Sequence, residues 1–562
     1  MTRPTIPSLR LLRLREHQLF LALTVVVGIV AGLSAVLFSV AIDWMTRVFF
    51  GLEPSNARLF LIPVSVSLVT GFLLVKVFPD VRGSGVPQTK VAVHLHGGEI
   101  PARVPIGKFL TGVLCIASGH SMGREGPSVQ IGAGIASAIG RWLRLPPDRL
   151  RDLVPVGAAG ALAAAFNTPV AAVLFTLEEI LGDLNASLLG STVIASVASV
   201  VVERSILGNE PLFRVPIYHL EHPAELLAYA ALGIVGGILS LLFSQALLRS
   251  RALFKRMPVS TRMLQPAMGG ALIGLLIILS PAVMGVGYEY VDRALNGGLV
   301  LKTLLLLCGL KMAATIFSYA SGNAGGIFAP SLYIGAMAGG ALGTLVHRFA
   351  PFPTAEPGAY ALVGMGALFA GIIRAPMTSV FMIFEITQDY QILVPLMVAN
   401  LLSFIIARRF QPEPVYHALL HQDGIHLPAA TVSGPEGWTA QEAMEPAPDL
   451  VPADASIRLV LEASRDPRRR AVMVQRPDAL PGVVTYARLA QAAMAGHQDD
   501  AVGSLLEGDP SHLHPDHPAD VVIERITSGG GWVPVVSRDD AQQILGVVTL
   551  DGVARALRRR TS

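Results

Sequence analysis

Two stretches of this chain repeat each other, each opening on glycine and proline inside an apolar region. GREGPSVQIGAG, from Gly123, resembles GIFAPSLYIGAM, from Gly326, sharing Gly123/Gly326, Pro127/Pro330, Ser128/Ser331 and Ile-Gly-Ala at 131–133 and 334–336. A second matched pair follows: VGAAGALAAAFNTPVAAVLFTLEE from Val156 and VGMGALFAGIIRAPMTSVFMIFEI from Val363, which sets Pro169 opposite Pro376 and Glu178 opposite Glu385. The order of matches is the same in both copies, which argues against chance similarity between Gly/Ala-rich helices. Broken apolar segments at corresponding places in two halves point to a binding site at the bilayer midplane.

The surrounding chain requires a bilayer. Apolar residues make up 52% of it and charged residues 15%, too little polar surface for a soluble protein of this size. A full span needs roughly 20 apolar residues; 58–78, 224–248, 264–284 and 391–407 reach that, as does a first segment from Leu19 to Val40. Segments 105–119, 127–142, 156–166 and 169–182 are shorter and interrupted by Gly or Pro. Such pieces persist at membrane depth only where protein or a wet cavity surrounds them. Arg10, Arg13 and Arg15 place the N-terminus in the cytoplasm by the positive-inside bias, and the neighbouring leucines suit an interfacial helix. The net charge of +3 gives no argument for a nucleic-acid partner. Cys115 and Cys308 lie in apolar runs and read as small buried hydrophobes.

An anion crossing a bilayer must exchange water for other donors. Backbone N–H groups at helix N-termini supply them, with the positive end of the macrodipole. Three segments have the glycine for close approach and the proline for a helix start: GSGVP (83–87), GREGP (123–127) and GIFAP (326–330). Gly83, Gly85 and Gly126 are the backbone candidates, and Ser84 adds a hydroxyl.

These three segments, with Tyr416 in PVYHALL, resemble the four selectivity segments of the CLC family of chloride channels and chloride/proton exchangers. The resemblance runs from about Leu19 to His421 in the family's order. It implies an all-α polytopic membrane domain of two inverted repeats, a homodimer with one pathway per subunit. It also implies that Ser84 and Tyr416 give hydroxyls, and Ile327 and Phe328 backbone N–H groups, to a central chloride. Glu125 is similar to the family's gating glutamate, and Glu179 to the inner proton-transfer glutamate that exchangers tend to have. Ser84 fits the chloride-preferring form, and Pro127 and Tyr416 fit it better than the fluoride-exporting branch.

The physics of Glu125 can be stated without the family. A carboxylate among anion-binding dipoles is held charged, and an arriving chloride favours its protonation, so anion entry and proton uptake are linked. The plainer alternative is an ion pair with Arg124. For Glu178 and Glu179 the alternative is a helix end facing the cytoplasm; Glu178 is the better structural carboxylate, since Glu385 matches it. Lys108 corresponds to a buried lysine of the family and implies a positive field for the anion; snorkelling to an interface is the other reading. For Tyr416 the alternative is an ordinary interfacial tyrosine. His94 and His96 read as ordinary residues at a helix end.

Beyond Arg409 the composition turns polar. Residues 1–421 form the expected transport domain, 422–433 a linker, and 434–495 and 496–562 two units that resemble cystathionine-β-synthase (CBS) domains. PGVVTYARLAQAA from 481 and LGVVTLDGVARAL from 545 each read as strand, Thr, helix. Nucleotide-binding copies commonly carry an acidic residue three positions after the Thr. Here Arg488 follows Thr485, Gly552 follows Thr549, and Asp551 is one place early, which argues against adenosine-nucleotide binding and for a structural role. HLHPDHPAD, with His512, His514 and His517, reads as a loop. No metal or other cofactor is expected. The leading expectation is chloride/proton antiport across the inner (plasma) membrane with both termini cytoplasmic; the alternative is a passive chloride channel gated by Glu125. A cation transporter or membrane enzyme would need acidic clusters, a nucleophile–base pair or a metal-ligand set in the spans, and none is evident.

Overall fold

The computed structural model describes the chain except for residues 1–15, 52, 183–185, 210–211, 214, 216–219, 389, 428–437, 448–449, 464–470, 476–481, 507–511, 529–530, 538–542 and 562. The expected N-terminal interfacial helix and its arginines lie outside the described residues. The chain forms two compact units, 1–428 and 429–562.

The first unit is all helical. Seven of its described helices are long and apolar enough to cross a membrane, beginning with Glu16–Phe50, which runs ten residues past the expected Val40. The expected span 264–284 is instead a helix Gln265–Leu279 and a 3-10 turn Pro281–Val283. Proline pushes the preceding residue out of the helical region, and Ser280 is extended at φ −154°. The short pieces fold as broken helices: Val86–His94, Arg103–Ala117, Glu125–Trp142, and Pro169–Phe175 continued by a π-helical turn Thr176–Leu181. Residues 156–166 belong to a longer helix, Pro147–Phe166, that continues through Pro155.

The sequence repeat is a repeat in space. Helix Glu125–Trp142 packs on Pro147–Phe166, and Phe328–Phe349 packs on Pro357–Ile373. In each pair two matched glycines face one another. A Cβ on Gly132 would overlap the carbonyl of Gly157, and the reverse holds; Gly335 and Gly364 meet in the same way. Small residues let helix backbones approach where lipid gives no hydrophobic drive. Gly335→Ala should therefore cost about 1–3 kcal/mol, the usual range for overpacking, read as a lower melting temperature in detergent. Gly309→Ala, where an added methyl meets nothing within 4 Å, should be neutral or stabilising. Equal effects would remove close approach as the reason for the conserved spacing between copies.

The second unit holds two three-stranded sheets. One orders Met444–Glu445, Ile544–Thr549 and Trp532–Val536, all antiparallel; the other orders Leu450–Pro452, Ala471–Gln475 and Gly482–Thr485. The expected strand–Thr–helix units are present. Thr485 accepts from Arg488 N at 3.4 Å and Thr549 from Gly552 N at 3.0 Å, so both threonines cap their helices. The packed cores do not follow the expected division at 495/496. Trp438, Ala440 and Ala443 pack with Leu513, Val533 and Val548, whereas Val502 packs with Ile457, Val472 and Val484. The first strand pairs with the last one, so the chain crosses between the two cores.

Candidate functional site

Glycine explains why the two repeat motifs can meet. Gly123 N donates to Gly326 O and Gly326 N to Gly123 O, both at 2.8 Å, a two-residue antiparallel bridge joining the halves. One helix starts at Glu125 and the other at Phe328. Their first-turn N–H groups have no partner inside the helix, so two positive helix ends adjoin.

Glu125 turns its carboxylate back over this junction. Oε2 occupies the space a side chain on Gly123 would need, beside the backbone N of Ala329, and Oε1 accepts from Tyr288 Oη at 2.6 Å. The carboxylate thus sits at the N-terminus of the other half's helix, where an anion is favoured. Arg124 is not its ion-pair partner. The guanidinium lies over the Tyr288 ring, 5.6 Å from its centroid, and donates to Ala165 O at 3.4 Å.

Ser84 reaches the same junction from the loop that precedes helix Val86–His94. It stands between Gly83 and Gly85, at φ +87° and +109°, values that glycine adopts without a Cβ penalty. A side chain on Gly126 would strike Ser84 Oγ, and one on Gly85 would strike Gly126 O. Gln88 clamps the loop by accepting from Gly85 N and donating to Arg82 O, each at 2.9 Å. Lys108 is fully buried, which excludes snorkelling, and donates to Val81 O at 2.9 Å and Gly83 O at 2.5 Å. It fixes the loop by holding these two carbonyls.

Tyr416 is completely buried, on a helix Val415–Gln422, so it is no interfacial residue. Its hydroxyl and that of Ser84 lie near one another, and neither has a partner at ordinary hydrogen-bond distance among the described residues. Buried hydroxyls almost always have a partner, and these two point to a ligand that accepts hydrogen bonds. Ile327, fully buried, precedes the second helix start. The Phe328 ring packs among Phe166, Phe175 and Phe369, with centroids 4.8, 5.5 and 4.4 Å away.

The adjacent glutamates Glu178 and Glu179 separate cleanly. Glu178 accepts from Met377 N and Thr378 N at 3.1 and 2.7 Å; Glu385 accepts from Val170 N and Ala171 N at 2.9 and 2.8 Å. Each half thus caps the other half's Pro-initiated helix, a reciprocal use of the matched carboxylates. Glu179 points inward instead, buried, and pairs with Lys90 Nζ at 2.7 Å. Lys90 also meets His417 Nε2 at 2.8 Å. Tyr416, next to His417 in sequence, lies within electrostatic range of both Glu125 and Glu179.

Sequence reasoning missed Lys90, His417, Tyr288 and Lys311. Lys311 repeats the work of Lys108 in the second half, donating to Val283 O at 3.1 Å and Gly285 O at 2.7 Å. A signal existed for it: Gly285-Val286-Gly287 repeats the Gly-x-Gly of 83–85, and in each half a lysine follows in the next apolar helix. His94 ends its helix and meets Ile180 O at 2.9 Å.

Comparison with known proteins agrees with this architecture. Residues 66–408 match the family model for the voltage gated chloride channel, and 502–559 match the CBS domain. The H(+)/Cl(-) exchange transporter ClcA of Vibrio cholerae serotype O1 is 33% identical over 420 residues, covering 72% of this chain and 89% of that protein. Among solved structures, a slow cyanobacterial Cl-/H+ antiporter matches with a TM-score of 0.65 at 28% identity, covering 72% of this chain and 97% of its own. A eukaryotic CLC transporter matches with a TM-score of 0.65 at 20% identity over 95% of this chain and 98% of its own, a likeness of fold.

Proposed function

The chain belongs to the voltage gated chloride channel family, and on that membership and the geometry of its site we propose that it exchanges chloride for protons across a membrane. The observation that carries this reading is the placing of two buried carboxylates at different stations of one site. Glu125 lies at the paired helix ends, where an anion binds, and Glu179 lies beside Lys90. Chloride takes N–H groups of Ile327 and Phe328 and the backbone around Gly83, Gly85 and Gly126, with the hydroxyls of Ser84 and Tyr416.

Exchange follows from competition for one place. Ionised Glu125 holds the anion position; a chloride arriving there repels the carboxylate and favours its protonation. The neutral side chain then leaves the helix ends, since a neutral carboxylic acid has little to gain from their dipoles. Its proton is passed to or from Glu179. Lys108 and Lys311 hold the two loops. We place the protein in a cell membrane with both termini cytoplasmic, as a homodimer, and assign the C-terminal unit a structural role.

The test is transport in liposomes loaded with chloride at equal pH on both sides, with valinomycin and potassium holding the voltage near zero. Outflow of chloride should draw protons inward and raise the external pH. Chloride outflow without proton movement would reject exchange and leave a channel gated by Glu125.

A further inference from the structure

The second half contains a counterpart of the loop that carries Ser84. Gly285 and Gly287, at φ +51° and +82°, repeat the left-handed backbone of Gly83 and Gly85. Lys311 holds the carbonyls of 283 and 285 as Lys108 holds those of 81 and 83. In an inverted repeat, the counterpart of a loop at one mouth stands at the other. The side chains differ: Ser84 is matched by Val286, and the hydroxyl sits two residues later, on Tyr288. Tyr288 is partly exposed, whereas Glu125 is wholly buried, so the tyrosine stands at the border of the site.

We propose that Tyr288 is a latch on the gate: its phenol holds the Glu125 carboxylate at the helix ends and sets how readily that carboxylate leaves. The proposal rests on Glu125 being the gate. Its warrant is a 2.6 Å hydrogen bond to a buried carboxylate, short enough to be charge-assisted. The ring is also fixed, edge-on to Phe213 at 5.3 Å and beneath the Arg124 guanidinium, so the hydroxyl is aimed in advance. The charged and titratable groups that face Glu125 are Tyr288 on the short helix Tyr288–Leu295, Arg124 beside it in sequence, and Tyr416 on Val415–Gln422. Helix Phe328–Phe349 faces it with the backbone of Ala329. Tyr288 alone among these donates a side-chain hydrogen bond to it among the described residues. This donor favours the ionised, closed carboxylate, so its loss must make protonation and opening easier.

Tyr288→Phe keeps the ring and deletes the donor. In proteoliposomes, chloride flux at neutral pH should rise several-fold, and the midpoint of activation by acid should move to higher pH. Tyr288→Leu, which also lacks the donor, should shift the midpoint in the same direction. In a Glu125→Ala background, Tyr288→Phe should change nothing. An unmoved midpoint in both single variants, or an equal effect without Glu125, overturns the latch. Loss of the latch with coupling still abolished by Glu125→Ala would leave the gate intact; retained coupling in Glu125→Ala would sink the gate itself.

Discussion

Replacing Glu125 with Ala should leave a protein that passes chloride and no longer moves protons with it. The substitution deletes the carboxylate lying at the paired helix ends, and it leaves the N–H groups, Ser84 and Tyr416 in place. Wild-type flux should fall as pH rises, because ionised Glu125 competes with chloride for the helix ends. Without the carboxylate that competition disappears, so the flux of the variant should be flat across the same range. Size-exclusion profiles would check that the variant keeps the oligomeric state of the wild type. A variant that still pumps protons, or keeps the pH slope, contradicts the role assigned to Glu125.

The second large effect is expected at Glu179, and the structure changes its form. Glutamine there cannot carry a proton, so proton flux should vanish while chloride continues to pass. Glutamine also leaves Lys90, buried and paired at 2.7 Å in the wild type, without its counter-ion. Breaking a buried ion pair by removing one partner costs on the order of 3–5 kcal/mol, whereas replacing both by apolar groups is often neutral. Glu179→Gln should therefore melt well below wild type, and adding Lys90→Met should recover most of that loss. The double variant should still move no protons. If it regained proton flux, Glu179 would be excluded from the proton route; if stability did not recover, the Lys90 pair would not be the cause of the loss.

Much of this site was legible in the sequence because its chemistry is carried by backbone. Glycine and proline announce helix starts, so GSGVP, GREGP and GIFAP were found as strings, and the matched Gly132/Gly335 and Gly157/Gly364 proved to be the helix crossings themselves. The matched Glu178 and Glu385 likewise turned out to cap each other's half. What stayed hidden depends on long-range contact between charged or aromatic side chains. Lys90 lies in a short helix near two histidines, where composition suggests a polar end rather than a buried ion pair. Tyr288 follows a Gly-x-Gly whose likeness to 83–85 is two glycines long, too little to align without coordinates. The swap of the first strand in the C-terminal unit was unreadable for a related reason: two residues, Met444 and Glu445, carry the pairing.

The central claim is that chloride and protons share one cycle through Glu125. The direct measurement records both fluxes in the same proteoliposomes while the chloride gradient is varied at fixed pH. A shared cycle predicts a ratio of proton to chloride flux that stays constant as the gradient changes, and that drops to zero in Glu125→Ala. A ratio that drifts with the gradient, or chloride flux with no protons in the wild type, would contradict it.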